Sequence, residues 1–131
     1  MIRKLFSSIG LVALLVAGAH AQRAGRWEYL GEAHVDGAVD HDRIAVTAAK
    51  GEYRAIQLRV QKGPIEFGRV VVHFGNGSSE EVSIRQRIPA GGQTRVIDLP
   101  GDRRVIESVE IWYAKANWRE NRPLVRLWGR H

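Results

Sequence analysis

The sequence predicts an all-β fold: a two-sheet antiparallel sandwich, jelly-roll-like, with about eight strands. Apolar and polar residues alternate in short runs over most of the chain, as where Ile56, Leu58 and Val60 interleave with Gln57, Arg59 and Gln61. Turn residues separate the runs, at Gly63-Pro64, Gly75-Asn76-Gly77-Ser78, Gly91-Gly92 and Pro100-Gly101-Asp102. No stretch beyond residue 21 holds a helical period with caps at its ends.

The elements follow in chain order. Arg3 and Lys4 precede an apolar run from Ile9 to Ala17, which ends in Gly18-Ala19-His20-Ala21. A positive start, an apolar middle and a small-x-small end form the layout of a secretory signal peptide. The apolar run is about half the roughly 20 residues that span a bilayer, so cleavage near Ala21 is expected over anchoring. Residues 1–21 are therefore read as a leader and 22–131 as one domain, periplasmic or secreted, with no transmembrane segment after cleavage. Trp27 to Ala33 reads as the first strand and Arg43 to Thr47 as the second. Ile56 to Gln61 is a strand with one wet face. Arg69 to Phe74 is denser, with Val70, Val72 and Phe74 on one side. Val82, Ile84 and Ile88 share a face opposite Ser83, Arg85 and Arg87. Arg95 to Leu99 is short. Val105 to Ala114 is expected to be the longest, with Val109, Ile111 and Tyr113 opposite Glu110 and Trp112. Val125 and Leu127 mark the last strand. First and last strands of such sandwiches often pair, which would bring Trp27 and Trp128 together as core-edge aromatics. Asn76-Gly77 predicts a type I′ hairpin turn.

Composition limits the chemistry. The 110 residues from Gln22 to His131 suffice for one core. Without cysteine there is no disulfide, thiol catalysis or zinc–thiolate site. Without Arg3 and Lys4 the charge is +4, from 18 basic and 14 acidic residues. Arginine supplies 16 of the chain's 20 basic residues, and guanidinium groups grip carboxylates and phosphates in planar pairs. A basic exported protein suits anionic partners. Basic and acidic residues are interspersed, which with export argues against a nucleic-acid partner.

Several runs resemble a known family. They are Asp40-x-Asp42-x-Ile44-x-Val46, Tyr53-x-x-Ile56-x-Leu58-x-Val60, Gly91-Gly92-x-Thr94-Arg95-x-Ile97-Asp98-Leu99 with Gly101, and Arg104-x-Ile106-x-x-Val109 leading to Tyr113. Together they resemble a family of small exported bacterial β-sandwich proteins of unknown function. The resemblance spans about Trp27 to Gly129 and implies export and a sandwich. It brings no catalytic residue with it.

The candidate ligand-binding residues are basic and aromatic: Arg85 and Arg87 on one strand face, Trp112 on a wet face, and Trp118, Arg119 and Arg122 on the loop before the last strand. Tryptophan stacks on sugar rings, and arginine grips acids bidentately. Trp118 has a second reading, as a cap on one end of the sandwich. Asp36, Asp40 and Asp42 lie on one loop, where oxygen ligands would suit calcium. Their other reading is turn chemistry, or ion pairs from Asp42 to Arg43 or Arg104. His34 and His41 would add metal ligands only if a third were fixed. His73 is placed on the less apolar sheet face, and His131 is expected to lie loose at the terminus. No nucleophile motif, phosphate loop or dinucleotide fingerprint is present. The expected function is a non-enzymatic binding or structural module that recognises an anionic, glycan or protein component of the bacterial envelope. The alternatives are a calcium-stabilised sandwich and a small polysaccharide hydrolase using paired carboxylates among Glu66, Glu107 and Glu110.

Overall fold

The computed structural model describes residues 25–36, 39–116, 118 and 121–131. The predicted leader, 1–21, lies outside the described residues. Eight strands form: β1 (Trp27–His34), β2 (His41–Ala45), β3 (Ala55–Gln61), β4 (Ile65–Phe74), β5 (Ser79–Ile88), β6 (Ile97–Asp98), β7 (Ile106–Tyr113) and β8 (Leu124–Arg130). They make two antiparallel four-stranded sheets, in the orders β1-β8-β3-β6 and β2-β7-β4-β5. Only β4 and β5 are sequence neighbours in the same sheet; every other connection crosses between sheets. This is jelly-roll order, and β1 pairs with β8 as expected.

Alternation builds the core. Ile56, Leu58 and Val60 of β3 are buried and face Val70, Val72, Val109 and Ile111 of the other sheet. Each inward residue sends its neighbours to an outer face. β4 changes parity midway: Ile65 and Phe67 point inward, then Val70, Val72 and Phe74. A bulge between Phe67 and Arg69 makes the switch, opposite Ser83 to Gln86. The break hides the first half of the strand from a period-two reading. As a result β4 and β5, at 10 residues each, are longer than β7 at 8.

The β4–β5 turn also differs from expectation. The Gly77 N–H donates to the Phe74 carbonyl at 3.1 Å, and positive φ in this loop is confined to Gly77, at 88°. This is a three-residue loop closed by a left-handed glycine, since a type I′ turn needs positive φ at two central residues. Asn76 Oδ1 accepts the Ser78 N–H at 3.0 Å instead.

The sheets approach closely where β1 passes the end of β2. A Cβ on Gly31 would lie 2.4 Å from the Ala45 carbonyl oxygen. The neighbouring Leu30 carbonyl accepts the N–H groups of Thr47 and Ala48, at 3.0 and 3.1 Å. At the opposite end of β1, His131 is held in place, contrary to expectation. Its ring sits 4.8 Å from that of Tyr53, and its Nε2 lies 2.5 Å from Glu28 Oε2. Tyr53 is buried, and this desolvation, with the nearby Glu28 carboxylate, pushes its hydroxyl up to about 12.

Gly31→Ala is expected to cost about 1–3 kcal/mol, because the obstacle is backbone and cannot rotate away. An unchanged denaturant midpoint would show that the crossing has slack. Tyr53 makes an alkaline prediction. A hydroxyl whose value is raised on folding contributes stability that is complete below the ordinary tyrosine value near 10 and is lost as pH rises toward about 12. Unfolding free energies between pH 9 and 12 are expected to fall with pH, and less steeply in Tyr53→Phe. Equal slopes in the two proteins would refute the assignment.

Candidate functional site

The outer face of the β2-β7-β4-β5 sheet is organised around Trp112. Burial of Val109, Ile111 and Tyr113 turns Glu110 and Trp112 outward on β7. His41, the register partner of Trp112 on β2, stacks on its ring with centroids 5.2 Å apart and planes at 16°. The Arg69 guanidinium carbon lies 4.1 Å from the Trp112 ring centroid. Arg69 also pairs across the strands with Glu81.

A groove of about 570 Å³ opens beside this stack, lined by Gly68, Arg69, Glu81, Ser83, Arg85, Trp112 and Tyr113. Arg85 sits opposite the β4 bulge with φ at 45°, a left-handed conformation that non-glycine residues seldom adopt. Among the described residues no carboxylate lies within ion-pair reach of Arg85. A second groove of about 500 Å³ lies on the His41 side, lined by His41, Asp42, Arg43, His73, Glu107, Ser108 and Glu110. A third, of about 140 Å³, lies beyond Tyr113 and is lined by Pro64, Ile65, Glu66, Arg87, Ala114, Lys115, Ala116 and Trp118.

Several carboxylates on this face are engaged. His73 Nε2 lies 2.5 Å from Glu110 Oε1, and Arg43 lies 3.5 Å from Glu107. The Tyr113 hydroxyl donates to Asp42 Oδ2 at 2.6 Å and lies 3.1 Å from the Asp36 carbonyl oxygen. Burial raises the Tyr113 hydroxyl well above its usual value, and the Asp42 carboxylate adds to the rise. A bond from His41 Nδ1 at 3.0 Å holds the Asp40 carboxyl below its ordinary value.

The structure thus gathers Trp112 and Arg85 in one groove, and Arg87 and Trp118 in the next. Trp118 packs partly against the core, with its ring 6.0 Å from that of Tyr113. Arg122 is exposed before β8, outside the linings of these grooves, and Arg119 lies outside the described residues. Asp42 is committed to Tyr113 and not to Arg43 or Arg104, Asp40 pairs with His41, and the Asp36 backbone faces Tyr113. Among the described residues no group of three or more His, Asp or Glu side chains is placed to hold a metal ion. Glu107 and Glu110 share a groove, while Glu66 belongs to another.

The second outer face, on β1-β8-β3-β6, carries a cluster that the sequence shows only in part. Trp27 and Trp128 do lie close together, on this outer face and not at the core edge, with Arg59 between them. Its guanidinium carbon is 4.2 Å from the Trp128 centroid and 5.7 Å from that of Trp27. Tyr29 meets Trp128 edge-on at 5.7 Å, and Arg130 lies 5.4 Å from the Trp27 centroid. The signal was present in the parity of Gln57 and Arg59, but only β8, lying between β1 and β3, joins those residues to Trp27 and Trp128.

No curated protein matches this chain by sequence. Among solved structures, a chain of Pseudomonas aeruginosa AlgX aligns at 13% identity with a TM-score of 0.52, covering 81% of this chain and 26% of that one. This chain therefore spans about a quarter of the AlgX chain it matches, and the likeness is one of fold. A mutant of the family 29 carbohydrate-binding module CBM29-2, complexed with cellulohexaose, aligns at 11% identity with a TM-score of 0.40, covering 82% of this chain and 80% of that one. Residues 9–129 match the family model for a domain of unknown function, DUF2541, and the chain belongs to that family.

Proposed function

We propose that this protein is an exported, non-catalytic module that binds an acidic glycan of the bacterial envelope along the outer face of the β2-β7-β4-β5 sheet. Export rests on the leader pattern of Arg3, Lys4, the run from Ile9 to Ala17 and the Ala19-His20-Ala21 end. The observation that carries the binding reading is Arg85. It is exposed, held at φ 45°, set in the groove beside Trp112, and without a carboxylate partner among the described residues. A bulky residue in a sparsely populated backbone region costs stability, and such residues cluster at ligand sites. An open guanidinium beside an indole suits a ring that carries an acid group: the indole takes the apolar ring face and the guanidinium takes the acid.

Three grooves in succession favour a chain-like ligand over a compact one. Trp118, Arg87 and Lys115 line one end, Trp112 and Arg85 the middle, and His41 and His73 the other end. The carboxylates of Asp42, Glu107 and Glu110 each have a partner. Glycoside cleavage needs two carboxyl groups facing each other across the substrate, so this arrangement favours holding a glycan over cutting it.

Calorimetric titration with a galacturonate oligomer, set against a neutral cello-oligosaccharide, tests the reading. The acidic chain is expected to bind and to weaken as salt rises. Arg85→Ala is expected to lower affinity about tenfold or more, the loss typical of a charged hydrogen bond, with the fold intact. Equal affinity in Arg85→Ala, or preference for the neutral chain, would overturn the proposal.

A further inference from the structure

The outer face of the β1-β8-β3-β6 sheet has an unbalanced set of hydrogen-bond donors. Arg126 is matched by Glu32 at 3.3 Å, and Arg130 by Asp98 at 3.7 Å. Arg59, between them in the lattice, is different. Its Nε donates to Gln57 Oε1 at 3.2 Å, and Gln57 is itself fixed through its Nε2 to the Thr94 carbonyl at 3.0 Å. The guanidinium is then held against Trp128, yet among the described residues no carboxylate is within ion-pair reach of it. The Nε1 of Trp128 is also buried with no hydrogen-bond acceptor among the described residues. The Arg59 guanidinium therefore has no counter-charge beyond its bond to Gln57, and the Trp128 donor beside it has no acceptor among the described residues. A buried donor such as the Trp128 N–H is rarely left unpaired in folded proteins, because the lost hydration is not replaced.

The surroundings narrow the acceptor. Glu32 and Asp98 stand at the rim, and Glu32 is kept ionised by the Tyr29 hydroxyl, which donates to it at 2.5 Å. Carboxylates there repel a polyanionic surface but accept hydrogen bonds from hydroxyl groups. The indoles of Trp27 and Trp128 offer apolar surface beside Arg59. A ligand with one acid, several hydroxyls and an apolar ring face meets all three conditions.

We propose that this face is a second saccharide site, for a single sugar residue bearing one carboxylate, with Arg59 as its anchor. The site does not depend on the grooves of the opposite sheet, so either can fail alone. The test follows the Trp128 indole N–H resonance by NMR during titration with digalacturonate, in the unmodified protein and in Arg85→Ala, Arg59→Met and Arg59→Lys. The Trp128 signal is expected to shift in the unmodified protein and in Arg85→Ala. Arg59→Met is expected to raise the dissociation constant about tenfold or more, with Arg59→Lys between the two. The neutral dimethyl ester of the same disaccharide is expected to leave the signal in place. Melting curves confirm that each variant is folded. An unmoved Trp128 resonance, an ester that binds equally well, or unchanged affinity in Arg59→Met would each overturn the site. A Trp128 response lost in Arg85→Ala but kept in Arg59→Met would also overturn it, leaving the grooves of the other sheet as the binding surface.

Discussion

The ladder that places β8 between β1 and β3 is the contact on which the rest of the molecule depends. It joins segments separated by most of the domain, pairing Trp27 with Arg130 and Ala33 with Val125 on one side, and Ala55 with Arg130 and Gln61 with Leu124 on the other. There is no cysteine to close the fold covalently. Backbone hydrogen bonds and the burial of Val125 and Leu127 do that work, and a fully buried side chain of this size contributes about 1.5–3 kcal/mol. The same register fixes the outer face, because once Leu127 points inward, Arg126 and Trp128 must point outward.

Much of this was legible in the sequence, wherever the period of two is unbroken. β3, β7 and β8 can be read directly from Ile56-Leu58-Val60, Val109-Ile111-Tyr113 and Val125-Leu127. The first half of β4 was not, because the bulge at Gly68 and Arg69 shifts its parity. The outward placement of Trp112 and Arg85 followed from alternation; their meeting in one groove required the pairing of β7 with β4 and of β4 with β5. The setting of Arg59 is hidden from the sequence for the same reason. Its place beside Trp128 comes from register, and register between distant strands is not written in local pattern. The tie between Asp42 and Tyr113 spans 71 positions, so nearer basic residues looked like the better partners.

Both outer faces set an arginine on an indole, but they differ in how open the surface around it is. On β1-β8-β3-β6 the guanidinium groups lie on aromatic rings in a tight lattice, where each cation–π contact contributes about 0.5–1 kcal/mol when exposed and more when dry. On β2-β7-β4-β5 the surface is open and grooved, and several of its titratable groups are tied in pairs such as His73 with Glu110. The first face is packed side chain on side chain. The second carries a backbone irregularity, the β4 bulge with the unusual φ of Arg85 opposite it, beside the groove at Trp112.

Pairing of β1 with β8 has a geometric corollary. The Gly25 N–H donates to the His131 carbonyl at 2.8 Å, and the His131 N–H returns to the Arg26 carbonyl at 3.1 Å. The domain's way in and its way out therefore stand side by side, like the two legs of a clip. A unit built on such a paired stem can hang from a surface loop of a larger protein without pulling that loop apart, since the host need bridge only one strand spacing, about 4.8 Å.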